Sequence, residues 1–225
     1  MVWWSSGCSR RPTWAAEVNA QTELHLLAGP SGALEVAIDR PEAPASGCAV
    51  IAHPHPLHGG TLTNKVVQTL ARAAVLAGLK AVRFNFRGVG RSEGVYDEGR
   101  GELGDLMAVV QAEAPEGPLV LAGFSFGGFV VSHAVQQLHA RGRDLSRVVL
   151  VGPAASRFNL APLPEELHAR TLVVHGELDD TVPLSAVMDW ARPQVLPVTV
   201  VPGGGHFFHG QLPLLRELVW RHLRS

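Results

Sequence analysis

The chain is 225 residues long, carries a formal net charge of −1 at pH 7 and has 17% charged residues. This length suits one α/β domain, and the balanced charge argues against a nucleic-acid or anionic-membrane partner. No apolar run is long enough to span a bilayer, and the first residues lack the pattern of a signal peptide. The two cysteines, Cys8 and Cys48, are not expected to pair, since one lies in a tail and the other begins a strand. We therefore expect a cytoplasmic protein without nucleic-acid or membrane partners, and a homodimer stays open.

The N-terminal part of the chain predicts a tail followed by a β-hairpin. Residues 1–21 hold three tryptophans and show no periodicity, so we expect an irregular tail before a single domain over 22–225. Residues 22–28 and 33–39 roughly alternate apolar and polar side chains around the turn signal Gly-Pro-Ser-Gly. The short apolar run at 48–52 then predicts a strand that is covered on both faces.

Strands and helices alternate through the rest of the chain. Further strands are predicted at residues 80–86, 117–122, 148–151, 171–175 and 198–201. Helices are predicted at residues 65–77, 102–113, 183–190 and 211–223, with another ending near 141. This order favours an α/β fold with a mostly parallel central sheet, helices on both faces and an antiparallel N-terminal hairpin.

A Gly-x-Ser-x-Gly pattern at residues 123–127 lies between a predicted strand and a predicted helix. A serine in this context occupies a sharp, strained turn, the nucleophile elbow. Side chains at Gly123 and Gly127 would collide with the neighbouring strand and helix, so glycine is needed at both positions. The turn presents the Ser125 hydroxyl and directs the N–H of Phe126 toward a reacting carbonyl. An ordinary serine in a glycine-rich turn is the alternative.

A nucleophilic serine needs a general base, and the base needs a third group to orient it. In an open α/β sheet such groups follow the carboxyl ends of the strands. Asp179 and Asp180 follow one of the later predicted strands, and His206 follows the last one. Serine, aspartate and histidine thus occur in the chain order expected for an elbow of this kind. His209 competes with His206, but it lies about one helical turn further on, where we expect a pocket rim or solvent.

Five stretches of the chain together resemble the α/β-hydrolase fold and, within it, small lidless bacterial hydrolases related to the dienelactone hydrolases. They are HPHPLHGG at 53–60, NFRGVGRS at 85–92, GFSFG at 123–127, HGELDDTVP at 175–183 and GHFF at 205–208. The resemblance runs from residue 22 to the C-terminus and implies no cofactor and no metal. Dienelactone hydrolases proper have a cysteine nucleophile where this chain has serine, so their substrate is not carried over. Residues 152–170 leave little room for the helical lid of enzymes that act on long acyl chains, so we expect an open, shallow site.

The resemblance implies a role for each of three residues. Ser125 attacks the acyl carbon, His206 takes the proton of Ser125, and Asp179 orients His206. Asp179 is selected over Asp180 because the first aspartate of the His-Gly-x-x-Asp pattern is the catalytic one in such enzymes. Asp180 then has a role in the loop or in helix capping.

An oxyanion hole needs two backbone N–H donors, one from Phe126 and one from the loop after the third strand. Pro54 and Pro56 have no N–H, which leaves His55 and Leu57. We prefer Leu57, which immediately precedes a His-Gly-Gly sequence.

Two other patterns invite different interpretations. His53, His55 and His58 could form a zinc site with Asp179 and His206, but the serine elbow would then have no role. The glycine-containing loop at 87–92 lacks the third glycine of a dinucleotide fingerprint and the lysine of a P-loop, and it is structural in the resembled family.

We therefore expect a serine hydrolase of small, short-chain carboxylic esters that works through an acyl-enzyme, with a small-molecule ester as its partner. A thioesterase, a peptidase or a cofactor-free haloperoxidase would use the same fold. The rival from a different class is a non-catalytic binding module. The intact serine, aspartate and histidine argue against that rival.

Overall fold

The structure, a computed structural model, describes residues 22–225. The tail predicted at 1–21 lies outside the described residues. The first two strands, β1 (Glu23–Gly29) and β2 (Gly32–Asp39), form the predicted antiparallel hairpin. Its register pairs Gly29 with Gly32, and Gly32 has a φ of 112°, which side chains other than glycine rarely adopt.

One eight-stranded sheet forms the centre of the domain, with the strand order β1-β2-β4-β3-β5-β6-β7-β8. The remaining strands are β3 (Cys48–Ala52), β4 (Lys80–Phe84), β5 (Leu119–Phe124), β6 (Leu145–Val151), β7 (Thr171–Gly176) and β8 (Val198–Val201). Strands β3 to β8 pair in parallel, whereas β2 pairs antiparallel with both β1 and β4. Because the parallel strands point the same way, the loops after them meet at one edge of the sheet.

Helices cover both faces of this sheet. They are α1 (Lys65–Leu76), α2 (Arg100–Glu113), α3 (Phe126–Ala140), α4 (Leu184–Ala191) and α5 (Leu212–Arg224). Buried side chains of α1 and α5 pack on one face, and those of α2, α3 and α4 pack on the other. The mostly parallel α/β architecture predicted from the sequence is thereby confirmed.

Capping explains where two of the helices begin. Asn64 accepts a hydrogen bond from the N–H of Val66 at 2.9 Å and so starts α1 where the sequence predicts it. Helix α2 begins two residues earlier than predicted, at Arg100. The Glu102 side chain accepts from the N–H of Gly99 at 2.8 Å and from that of Asp97 at 2.9 Å, which fixes this earlier start.

The segment between β6 and β7 contains no α-helix and ends in a short 3₁₀-helix at Glu165–Arg170. This agrees with the expectation that residues 152–170 do not build a helical lid. Across residues 22–225, no helix has both the length and the apolar character that a bilayer span requires.

Candidate active site

Ser125 joins β5 to α3 in the strained turn that the sequence predicts. Its backbone has a φ of 55° and a ψ of −115°, a region that costs a residue other than glycine about 1–3 kcal/mol. A Cβ atom at Gly123 would lie 2.4 Å from the carbonyl oxygen of Gly127. A Cβ atom at Gly127 would lie 2.4 Å from the carbonyl oxygen of Ala52. Glycine at both positions therefore lets β3, β5 and α3 approach closely enough to hold the turn.

The structure brings Ser125, His206 and Asp179 together in one chain of hydrogen bonds. Nε2 of His206 lies 3.0 Å from Oγ of Ser125, and Nδ1 of His206 lies 2.7 Å from Oδ2 of Asp179. All three residues are buried, with 7%, 4% and 7% of Ser125, His206 and Asp179 exposed. A carboxylate can only accept, so Nδ1 of His206 carries the proton that it donates to Asp179. Nε2 is then free to accept the Ser125 hydroxyl proton.

The loop after β7 holds Asp179 in its ionised form. Oδ1 of Asp179 accepts from the N–H of Val182 at 2.7 Å and from that of Thr181 at 3.0 Å. Burial alone would raise the pKa of Asp179, but the hydrogen bonds from His206 and Val182 keep this pKa below its usual value. Asp180 is exposed and does not contact His206. The geometry therefore favours Asp179 as the orienting carboxylate.

His175 forms a second contact with this carboxylate that sequence reasoning missed. Its Nε2 donates to the carbonyl of Val182 at 2.9 Å and lies 3.5 Å from Oδ2 of Asp179. Burial lowers the pKa of His175, so the ring stays neutral beside Asp179. The ring thereby links the end of β7 to the loop that presents the carboxylate.

The loop after β8 positions His206 and turns His209 away. The His206 ring packs on Phe124, with ring centroids 4.9 Å apart, and on Phe207 at 5.1 Å. A Cβ atom at Gly176 would lie 2.4 Å from the carbonyl oxygen of Gly204, so the loops after β7 and β8 touch. His209 is exposed, as expected for a residue at the rim.

The geometry favours His55 over Leu57 as the second oxyanion donor. The N–H of Leu57 donates to Nδ1 of His55 at 3.2 Å, and Leu57 is 67% exposed and does not line the cavity. The Leu57 N–H is not free for a substrate, because the side chain of His55 accepts from it as the N-cap of the 3₁₀ turn at Pro56–His58. His55 and Phe126 both line the cavity, and the backbone N–H of neither finds an acceptor within residues 22–225. The amides of Phe126 and His55 are therefore free to bind an oxyanion, whereas that of Leu57 is not.

Tyr96 supports the His55 side chain. Nδ1 of His55 accepts from Leu57, so its Nε2–H donates to the hydroxyl of Tyr96 at 3.2 Å. Burial lowers the pKa of His55, and the nearby charges of His58 and Arg157 lower it further. A neutral ring therefore braces the loop that carries the candidate donor.

His53 is occupied by the fold. Its Nδ1–H donates to the carbonyl of Pro54 at 2.6 Å, and its Nε2 accepts from the N–H of Phe86 at 3.0 Å. Burial lowers the pKa of His53 to about 4, which keeps the ring neutral. With both ring nitrogens engaged, His53 has no lone pair free for the zinc site considered from the sequence. Within the described part of the chain, no three His, Cys, Asp or Glu side chains are grouped as metal ligands would be.

A cavity of about 300 Å³ opens in front of Ser125. Its apolar wall comes from Ala154, Phe158, Val182 and Phe207, and its polar rim includes Arg157. Sequence reasoning had missed Arg157 and Phe158, because the segment after β6 shows no periodicity that would assign its side chains to a pocket. Aromatic packing holds Phe158 in place, since its ring lies 5.2 Å from Phe126 and 4.8 Å from Phe129.

The loop over residues 87–92 takes no part in this cavity and is bound into the fold. The guanidinium of Arg87 donates to Asp105 through Nε at 3.0 Å and Nη2 at 2.7 Å, and its backbone N–H donates to the same carboxylate at 3.0 Å. Glu35 accepts from the side chain of Asn85 at 2.8 Å and from the N–H of Arg91 at 2.9 Å. The structural interpretation of this loop agrees with these contacts.

A family model described as serine aminopeptidase, S33 (Hydrolase_4) matches residues 52–173. The chain belongs to this family of α/β hydrolases. The match includes the loop after β3 and the nucleophile elbow, and it ends before the loops that carry Asp179 and His206. The α/β-hydrolase resemblance of the sequence is confirmed at the level of the superfamily.

Two solved structures and one relative in sequence agree with this membership. A lidless α/β serine hydrolase from Xanthomonas campestris is 37% identical, with a TM-score of 0.80 over 92% of this chain and 95% of that chain. An α-β serine hydrolase homologue from Coxiella burnetii is 42% identical, with a TM-score of 0.75 over 89% of this chain and 97% of that one. An uncharacterised protein of Rickettsia prowazekii is 28% identical over 197 residues, which cover 80% of this chain and 79% of that protein. Family and fold together indicate an α/β serine hydrolase.

Proposed function

We propose that this protein hydrolyses small, short-chain carboxylic esters through an acyl-enzyme. The observation that carries the proposal is the hydrogen-bond chain from Ser125 through His206 to Asp179, at 3.0 Å and 2.7 Å. In this mechanism His206 takes the proton of Ser125 as the hydroxyl oxygen attacks the acyl carbon. His206 then returns the proton to the leaving alcohol, and a water molecule hydrolyses the acyl-enzyme by the same route.

Two backbone amides would stabilise the negative charge that develops on the acyl oxygen. Phe126 offers the first N–H of α3, where the helix dipole also favours negative charge. His55 offers the second from a loop stiffened by Pro54 and Pro56. Because proline fixes φ, this donor is held in place before the substrate binds.

The lining of the cavity favours an ester over a peptide with a free N-terminus. An aminopeptidase has to bind the substrate's ammonium group, and the strong acceptor for ammonium in a protein is a carboxylate. Of the described residues that line the cavity, none is Asp or Glu, and Arg157 adds a positive charge at its rim. A neutral ester has no ammonium group that needs a carboxylate. It therefore fits this lining better than a peptide with a free N-terminus, the substrate implied by the family description serine aminopeptidase.

The size of the cavity supports a short acyl group. Its volume of about 300 Å³ is at the low end of small-molecule sites. The segment between β6 and β7 contributes Phe158 to the wall but no helix that would extend the cavity. A long acyl chain would therefore lie largely in water.

The test is a series of p-nitrophenyl esters from acetate to palmitate, assayed with the wild type and Ser125→Ala. We expect kcat/KM to peak at acyl groups of two to six carbons, and Ser125→Ala to lower kcat by roughly 10⁴–10⁶-fold. A fluorophosphonate should label the wild type and not the variant. Circular dichroism and the melting temperature of the variant confirm that it folds.

Three outcomes would contradict the proposal. Turnover by Ser125→Ala near the wild-type rate would exclude the serine mechanism. Rates that rise toward palmitate would exclude the short-chain preference. Labelling of Ser125 without turnover of any oxygen ester, but with turnover of a matched acyl thioester, would make the protein a thioesterase.

A further inference from the structure

A second concave site lies on the face of the domain that α1 and α5 cover. Two adjoining cavities of about 320 and 340 Å³ share the side chains of Gln68, Arg72 and Arg216. We call this pair of cavities the arginine groove. None of its lining residues lines the cavity in front of Ser125, so the two sites are separate.

The arginine groove gathers positive charge in a chain whose net charge is −1. Five cationic side chains line it, against a single carboxylate, Asp39; the five are Arg40, Lys65, Arg72, Arg83 and Arg216. Asp39 is already engaged, since it accepts from Nη2 of Arg83 at 2.7 Å and from the hydroxyl of Thr22. The negative charge of Asp39 therefore neutralises the buried guanidinium of Arg83.

Three of the cations have no counter-charge within residues 22–225. The side chains of Lys65, Arg72 and Arg216 form neither an ion pair nor a hydrogen bond with any residue in that range. The preceding 21 residues contain two arginines and one glutamate, so they supply no excess of negative charge either. Like charges brought together without a partner repel one another, and a bound anion would remove that repulsion.

The helical spacing aims these groups at the same place. Lys65, Gln68 and Arg72 recur three and four residues apart along α1, which puts them on one face of the helix. Arg216 lies on α5, which packs against α1. Arg72 and Arg216 thus line both cavities from two helices, and a guanidinium group can hold two phosphate oxygens at once.

The groove also offers apolar contacts. Val75 and Leu76 line the first cavity, and Leu212 and Pro213 line the second. Leu76 is 59% exposed, so a ligand can cover it. A ligand that fits has adjacent anionic groups at the two arginines and an apolar moiety beside them. Both volumes are within the range of small-molecule sites.

We propose that the arginine groove binds a small molecule that carries a diphosphate group attached to an apolar or aromatic moiety, as a nucleoside diphosphate does. This binding is independent of ester hydrolysis at Ser125. The observation that carries it is the pair Arg72 and Arg216, unpartnered within residues 22–225 and shared by two cavities.

The experiment is isothermal titration calorimetry of the full chain with ADP and with inorganic pyrophosphate, at constant ionic strength. Sulfate and orthophosphate serve as comparison anions. We expect one ADP per chain, bound at least about tenfold more tightly than sulfate. Arg72→Gln/Arg216→Gln should weaken ADP binding at least about tenfold, or about 1.4 kcal/mol. Arg221→Gln, on the same helix but engaged by Glu217 at 2.8 Å, is the matched control and should bind as the wild type does.

Four results would overturn the proposal. The first is no heat and no shift in melting temperature with either diphosphate in the millimolar range. The second is ADP binding that the double variant leaves unchanged. Equal affinity for sulfate, orthophosphate and ADP would mean an adventitious ion only. Displacement of ADP by a DNA duplex or an acidic polypeptide that binds more tightly would assign the groove to a macromolecule. None of these four outcomes bears on the p-nitrophenyl ester assay, so the groove proposal and the esterase proposal can fail independently.

Discussion

Two buried polar networks lie near the carboxyl ends of the strands, and they differ in where they end. In one, the hydrogen bonds run from Asp179 through His206 to Ser125, whose hydroxyl borders a cavity. In the other, Arg87 gives three hydrogen bonds to Asp105, and that carboxylate is fully buried. The second network closes on itself, whereas the first presents a hydroxyl to a ligand. Burial of polar groups thus marks a reactive site only where the network is open.

Replacing Asp179 should break the open network with the largest effect on rate. Asp179→Asn removes the carboxylate that holds the Nδ1–H tautomer of His206, so kcat should fall by about 10⁴-fold. Asp180→Asn, next along the chain and exposed, is the control and should stay within about threefold of the wild type. The ester assay measures both. Equal losses in the two variants would mean that the loop as a whole matters, not the Asp179 carboxylate.

Replacing Asp105 should break the closed network, and we expect this change to lower stability and not the catalytic rate. Asp105→Asn leaves the Arg87 guanidinium, whose side chain is 10% exposed, without its counter-charge. We expect the free energy of unfolding to fall by about 3–5 kcal/mol. At temperatures where the variant is folded, kcat should be unchanged.

Urea denaturation measures this loss, and Asp144→Asn provides the control. Asp144 pairs with Arg170 at 3.0 Å, but its side chain is 79% exposed. Because solvent screens such pairs, Asp144→Asn should cost less than about 1 kcal/mol. Similar losses in both variants would remove the distinction between the buried and the exposed pair.

The oxyanion assignment is tested by comparing two substitutions at one residue. His55 has a φ of −54°, which proline can adopt, so His55→Pro removes the N–H with little change of backbone. His55→Ala removes the same side chain and keeps the N–H. We expect kcat of His55→Pro to be about 10²–10³-fold below that of His55→Ala. Equal kcat values would exclude the His55 amide as a donor.

His53, which accepts from the N–H of Phe86 next to the closed network, should make stability depend on pH. The pKa of His53 is about 4 in the fold and about 6.5 when unfolded, so between these values the unfolded chain binds the extra proton. Stability therefore falls as the pH drops from about 6.5 to about 4, by about 3 kcal/mol in total. The lowered pKa of His175 acts in the same direction. The lowered pKa of Asp179 affects stability only at a pH below the usual pKa of a carboxylate, and so below the range from about 6.5 to about 4.

Urea denaturation at pH 7.5, 5.5 and 4.5 measures this slope. His53→Gln should reduce it, although the variant is less stable at every pH, since its buried hydrogen bonds are imperfect. The slope of the variant is compared with that of the wild type over the same three pH values. An unchanged slope in His53→Gln would assign the acid sensitivity to other groups.

Strong periodicity and local sterics made much of the molecule predictable. The apolar run of β3 and the alternating pattern of β1 and β2 reflect how many faces of each strand are buried. The elbow was predictable because only glycine fits at Gly123 and Gly127. Helix α2 began two residues earlier than expected, because the Glu102 cap depends on a turn that has no strong sequence signal.

The amino-acid sequence was enough to predict the succession of strands and helices along the chain, the turn around Ser125, and the chain order of serine, aspartate and histidine. These follow from local sterics and from which side chains must leave water. The three-dimensional packing was needed to show that the N–H of His55 is free and that of Leu57 is not, that His175 lies 3.5 Å from Asp179, and that Arg72 and Arg216 line the same two cavities from two helices. Some of these features join residues that are distant in the chain, and others depend on which hydrogen bonds form inside one turn. A local sequence pattern predicts neither.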